Sequence, residues 1–128
     1  MTFEKESFLS NEIEENRKVH INNRKILYKK VREINTCMND VLHNLKHTDN
    51  INKDYFLIGL LCKIVKSYNS IILLSEYGLE SDVKVLLRSL METAFNFCAM
   101  IYDNEYFEKY LKNADKQNLF FINSIKKN

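Results

Sequence analysis

The sequence predicts an all-α fold, and three observations carry that expectation. Proline is absent and glycine occurs twice, at Gly59 and Gly78, too few turn residues for the closely spaced strands of an all-β domain. Apolar residues recur at steps of three and four, the spacing that gathers side chains on one face of a helix. Polar tracts and the second glycine then cut the chain into helix-length pieces. At 128 residues the chain suits one domain around one core. The expected architecture is an antiparallel up-and-down bundle of about four helices over residues 1–128, with residues 1–22 as an N-terminal helical arm and residues 23–127 as the bundle.

The first helical segment falls within residues 3–47. Leu27, Val31, Ile34, Met38, Val41 and Leu45 alternate steps of four and three, a seam for packing against other helices. Continued backwards, the register meets Leu9 and Ile13 but then Asn16, His20 and Asn23, so a break is expected near residues 20–23. Residues 46–53 form a polar connector. The second helix, residues 54–77, is apolar on nearly every side (Leu57, Leu60, Leu61, Ile64, Val65, Ile72) and is therefore expected at the centre. Lys63, Lys66, Asn69 and Ser70 interrupt it, which argues against a membrane span. Gly59 is expected to permit a close helix contact. Gly78 is expected to end the helix, because a residue without Cβ takes the left-handed conformation that closes one.

A very short turn follows, so the third helix is expected to run antiparallel beside the second. Glu80 and Asp82 open it, where the helix dipole favours negative charge. Val83, Leu87, Leu90, Ala94, Cys98 and Ile101 are expected to face the core, so that Leu87→Ala or Leu90→Ala would cost about 2–5 kcal/mol. Asp103 caps a fourth helix that carries Tyr106, Phe107, Tyr110, Leu111, Ala114, Phe121 and Ile125. Together with Tyr102 and Phe120, these aromatics suit core and interface packing.

Arg88, Glu92 and Asn96 fall on one side of the third helix, in line with Lys84 and flanked by Val85 and Phe95. Charges among apolar neighbours are costly without partners, so this trio is expected beneath another helix or at a subunit contact. The leading reading is an ion pair that fixes helix register. A ligand-binding role for Arg88, with five donors in a planar fork, is the sharper alternative. In the first segment Lys18, Lys25, Lys29 and Arg32 form a basic stripe. It reads as a solvated face, or as a contact to an acidic partner or RNA; interleaved stacking aromatics are missing apart from Tyr28.

The remaining chemistry is thin. A net charge of +2 does not by itself imply nucleic acid or membrane. Cys37, Cys62 and Cys98 lack C-x-x-C spacing and read as buried free thiols in a reducing cytoplasm. His43 and His47, one turn apart beside Asp40, have a spacing that holds divalent metals, but the glutamate of H-E-x-x-H is missing. No metal or cofactor is expected, and no Ser-His-Asp, Cys-His or glycine-rich phosphate motif supports a catalytic assignment.

The run Gly78-Leu79 followed by Arg88-Ser89-Leu90-Met91-Glu92 resembles the signature of a bacterial family of helical domains of unknown function, over about a quarter of the chain. The resemblance implies a helical bundle with Arg88 and Glu92 as the positions to watch. A looser likeness is to HEPN domains, some of which are ribonucleases in toxin–antitoxin and phage-defence systems. Those carry an arginine, a polar residue and a histidine shortly after; Arg88-Ser89 begins such a motif, but no histidine follows His47. The expected function is a non-enzymatic interaction module of a bacterial cytoplasmic protein, acting on a protein partner or a second copy of itself. The alternatives are an RNA-acting HEPN-like protein using Arg88, with nucleic acid the less favoured partner, and a small immunity or inhibitor protein.

Overall fold

The computed structural model describes residues 3–46 and 53–125, with side chains from residue 4 through residue 116. The described residues contain helices and turns and no strand. In chain order they form α1 (Phe3–Glu6), a 3-10 turn (Ser7–Leu9), α2 (Ile13–Asn23), α3 (Lys25–Asn44), α4 (Lys53–Glu76), α5 (Glu80–Tyr102) and α6 (Asn104–Ile125).

The first segment is not one rod. Arg24 leaves helical geometry at φ −128° and ψ 36°, its N–H closes the last turn of α2 on Ile21, and its carbonyl opens α3 by accepting from Tyr28. α2 thereby reaches the far end of α4. α3 runs antiparallel to α4: Tyr28 shares a hydrogen bond of 2.8 Å with Ser75, and Tyr68 donates to the Val31 carbonyl at 3.1 Å.

α4 ends as its glycine dictates. Gly78 sits at φ 76°, its N–H bonds the Ser75 carbonyl, and the Leu79 N–H reaches back to Leu74 at 2.9 Å. That pair of bonds closes a helix around a left-handed residue and satisfies its last carbonyls. α5 then returns along α4 in the most extensive helix pairing of the fold. Asp103 begins α6 by accepting from the Glu105 N–H at 2.9 Å. Phe107 meets Phe56 edge-on with ring centroids 5.5 Å apart, and Lys53 donates to Asn104, so α6 starts beside the start of α4.

α4 is the helix against which α2, α3 and α5 all pack. By length and composition it is also long and apolar enough to cross a membrane, a property shared by central helices of globular domains.

The structure turns two helices relative to the sequence reading. α3 faces α4 with Tyr28, Val31, Asn35, Met38 and Leu42, leaving Leu27, Ile34, Val41 and Leu45 exposed. α5 faces inward with Val83, Leu86, Leu90, Thr93, Phe97 and Met100, so Leu87, Cys98 and Ile101 lie outside instead of in the core. Both helices carry two apolar stripes at helical spacing, and the surface offered by α4 selects between them. Thr93 is tolerated inside because its hydroxyl donates to the Ser89 carbonyl at 2.8 Å. Cys37 and Cys98 are exposed and Cys62 half-buried, which corrects the expectation of buried thiols; the first two sit on these outer faces. Gly59 makes no close contact, since a Cβ there would meet nothing within 4 Å.

The enclosed core is small. Among the described residues the buried hydrophobic side chains are Tyr28, Val65, Ile72 and Met100. The accessible surface is 10232 Å² for a 15.3 kDa chain, against about 7,100 Å² for a compact monomer of that mass.

Candidate functional site

The most buried charge in the fold is Glu76, at the last turn of α4, with its side chain at 0% exposure. A carboxylate at a helix C-terminus opposes the dipole, and a buried one needs cations and donors around it. Two arginines from elsewhere in the chain supply them. Arg17 of α2 donates through Nε to Oε2 at 2.9 Å, its Nη2 in ion-pair contact with the same oxygen at 2.9 Å, and Arg32 of α3 binds the other carboxylate oxygen. Arg17 also reaches Glu14 at 3.3 Å and lies over the Tyr77 ring, 5.4 Å from its centroid. Tyr77 donates to Glu14 at 2.6 Å.

These contacts displace the titrations. The hydrogen bond from Tyr77 holds the Glu14 carboxyl below its ordinary value, Arg17 and Lys18 adding to the effect while burial opposes it. The same bond pushes the Tyr77 hydroxyl up. Bonding to Glu76 raises Arg17 further above its already high value. This cluster ties two separate pieces of chain, α2 and α3, to the α4–α5 corner, with both arginines neutralised. Sequence reading missed it, although one signal was present: Glu76 is the only acid among residues 55–77, placed where a cation would be preferred.

Arg88 and Glu92 lie elsewhere. They pair with each other at 3.1 Å, but their side chains are 85% and 65% exposed, so no helix of this chain covers them. The expectation of an intrachain burial is corrected: the apolar neighbours are themselves on the surface. Val85, Leu87, Met91, Phe95 and Tyr102 are all exposed, Phe95 by 68% and Met91 by 50%. Lys84, Leu87, Arg88, Met91, Glu92 and Phe95 line an open groove of about 370 Å³. Asn96 is separated from the pair, because its Oδ1 accepts from the Tyr106 hydroxyl of α6.

The basic stripe is divided in the same way. Lys18, Lys25 and Lys29 are exposed, whereas Arg32 is committed to Glu76. His43 bonds back to the Asn39 carbonyl at 2.7 Å; His47 lies outside the described residues, as do the side chains of Phe120, Phe121 and Ile125. Among the described residues no three His, Cys, Asp or Glu side chains gather as a metal site. His20 folds onto the corner, its Nε2 lying 2.8 Å from where a Cβ of Gly78 would stand. From the start of α5 at Glu80 to Arg88 is about 12 Å along the helix axis, so this histidine does not complete an arginine–histidine motif.

The model of a family described as a family of unknown function, DUF5677, matches residues 54–128. The match takes in α4, α5 and α6, hence Glu76, Arg88 and Glu92, and excludes the segment that carries Arg17 and Arg32. No curated protein and no solved structure matches the chain.

Proposed function

We propose that this chain, which belongs to DUF5677, a family of unknown function, acts as a non-enzymatic helical interaction module of a bacterial cytoplasmic protein. α3 to α6 form its up-and-down bundle, and the outer face of α5 is the surface it presents to a protein partner. One observation carries this reading: Leu87, Met91, Phe95 and Tyr102 form a continuous exposed stripe on a chain whose accessible surface exceeds that of a compact monomer by about 3,000 Å². Exposed apolar patches larger than a few hundred Å² mark interaction sites. A role in phage defence or toxin–antitoxin biology, as partner or inhibitor, rests on resemblance alone.

A second reading, RNA contact through Arg88, draws support from the exposure of Arg88, Lys18, Lys25 and Lys29. The pairing of Arg88 with Glu92 weighs against it, since a carboxylate beside the arginine repels phosphate.

The experiment is the size of the tagged full chain in an extract of its native host. Wild type is expected to run as an assembly that Met91→Glu and Phe95→Glu abolish while leaving helicity intact. An assembly indifferent to both changes, together with RNA binding that Arg88→Ala removes and salt weakens steeply, would overturn the interaction reading in favour of the RNA one.

A further inference from the structure

The outer stripe of α5 has the composition and the order of charges of a surface that fits itself. Leu87, Met91, Phe95, Cys98 and Tyr102 lie within about 40° of Met91 around the helix. Lys84 lies in the stripe itself, about 20° from Met91, and Arg88 and Glu92 sit together on the same side, at about 60° and 100° from it. A helix face carrying one cation and one anion on the same flank, one turn apart, complements an inverted copy of itself.

Resting on the interaction reading above, we infer that the partner is a second copy of this chain, paired through α5 in an antiparallel, two-fold contact centred on Met91. A two-fold axis places residue i opposite residue j and j opposite i. Centred on Met91, it sets Leu87 against the partner's Phe95 and Lys84 against the partner's Cys98. Arg88 lies three residues before the axis and Glu92 one residue after it. The 1.5 Å rise then leaves Arg88 about 3 Å along the helix from the partner's Glu92, on the same flank. Two such crossed pairs form. The two Glu92 carboxylates come equally close along the axis, about 3 Å, so each exposed intrachain pair joins a four-charge cluster in which the arginines bridge the two acids beside the apolar seam.

Area and charge both favour this occupant. An obligate homodimer buries about 1,000–2,500 Å² on each chain, an area contained within the surplus of about 3,000 Å² per chain estimated from mass. A nucleic acid or an acidic protein selects cations alone, whereas beside Lys84 and Arg88 this groove carries the anion Glu92, already paired with Arg88. The exposed stripe on α3 (Leu27, Ile34, Val41) provides the natural control.

The test is a charge exchange on the full chain, read by sedimentation equilibrium, with circular dichroism confirming the fold. Arg88 and Glu92 are exposed, so their substitution leaves the core untouched. Wild type is expected to be a dimer. Arg88→Glu and Glu92→Arg each set like charges together across the two-fold and should raise the dissociation constant about tenfold or more. An equimolar mixture of the two variants restores both crossed attractions and should form a heterodimer of wild-type affinity; the double exchange in one chain should restore the homodimer. Met91→Glu should abolish pairing and Ile34→Glu should spare it.

A dimer that ignores the charge exchanges, or one broken by Ile34→Glu and not by Met91→Glu, overturns the pairing. A purified monomer whose assembly in host extract is still lost on Met91→Glu overturns the second-copy inference and keeps the interaction module. A monomer in both settings overturns both.

Discussion

Glu76→Ala tests the anchoring of the N-terminal segment, and its cost follows from the contacts around the carboxylate. Glu76 accepts one hydrogen bond from Arg17 Nε and one from Arg32, with Arg17 Nη2 in ion-pair contact at 2.9 Å, and each hydrogen bond to a charged group is worth about 1.5–3 kcal/mol when lost alone. The losses do not add, because the arginines retain water at 28% and 55% side-chain exposure and rehydrate when released. The expected destabilisation is therefore about 3 kcal/mol, the lower end of the range for breaking a buried pair. Glu76→Gln keeps shape and one acceptor while turning an amide N–H₂ toward a guanidinium; about 2 kcal/mol is expected. Arg17→Ala should cost more than Arg32→Ala, since Arg17 is the more buried of the two, also pairs with Glu14 and packs on Tyr77. The assay is urea unfolding followed by far-ultraviolet circular dichroism at one fixed protein concentration, because self-association would make the midpoint concentration-dependent. With a slope of about 2 kcal/mol/M, the Glu76→Ala midpoint falls by about 1.5 M. A change within about 0.5 kcal/mol, the range of ordinary surface substitutions, would refute the claim that this carboxylate holds α2 and α3 to the end of α4.

Other outcomes follow from the same structure. Met100→Ala, at a side chain with 0% exposure, should cost about 2–5 kcal/mol. Leu87→Ala, at the exposed stripe, should cost below about 1 kcal/mol in chemical unfolding under monomeric conditions. Gly78→Ala puts a Cβ at φ 76° and against the His20 ring and should cost about 1–2 kcal/mol. Gly59→Ala, in open space within α4, should stabilise by about 0.5–1 kcal/mol. In pH titrations of the thermal midpoint, the depressed Glu14 pKa means a stabilising contribution present above its ordinary value of 4.5 and lost as pH falls through the lower folded value. The raised Tyr77 pKa means one present below 10.0 and lost as pH climbs through the higher folded value. Tyr77→Phe should weaken both dependences, and unchanged acid and alkaline limbs would contradict the assignment.

The elements whose signals are local were legible in the sequence. Gly78 announced the end of α4 because only a residue without Cβ closes a helix there cheaply, and Asp103 announced the start of α6 through its cap. The change of period between Ile13 and Leu27 marked the break that falls at Arg24. Orientation about the helix axis was less legible. α5 repeats apolar residues at three and four on two faces, and nothing within α5 distinguishes Leu86–Thr93–Met100 as the inner one. That choice belongs to the shape of α4. The Glu76 cluster was hidden for a related reason: its partners stand 59 and 44 positions away, a separation that no helical periodicity spans. Arg88 and Glu92 do pair; of the two covers expected from their apolar neighbours, another helix or a subunit contact, the structure removes the first, because such neighbours do not say which molecule buries them.

The pairing of α5 across a two-fold axis is tested most directly by a disulfide at that axis. Helix axes about 8–10 Å apart, with Cα atoms 2.3 Å from each axis, leave facing Cα atoms about 3.4–5.4 Å apart, a span that overlaps disulfide geometry. In a chain with Cys37, Cys62 and Cys98 replaced by serine, oxidised Met91→Cys should migrate as a covalent species of twice the chain mass and revert on reduction. Only monomer under oxidation, with Val41→Cys cross-linking in its place, would contradict the account.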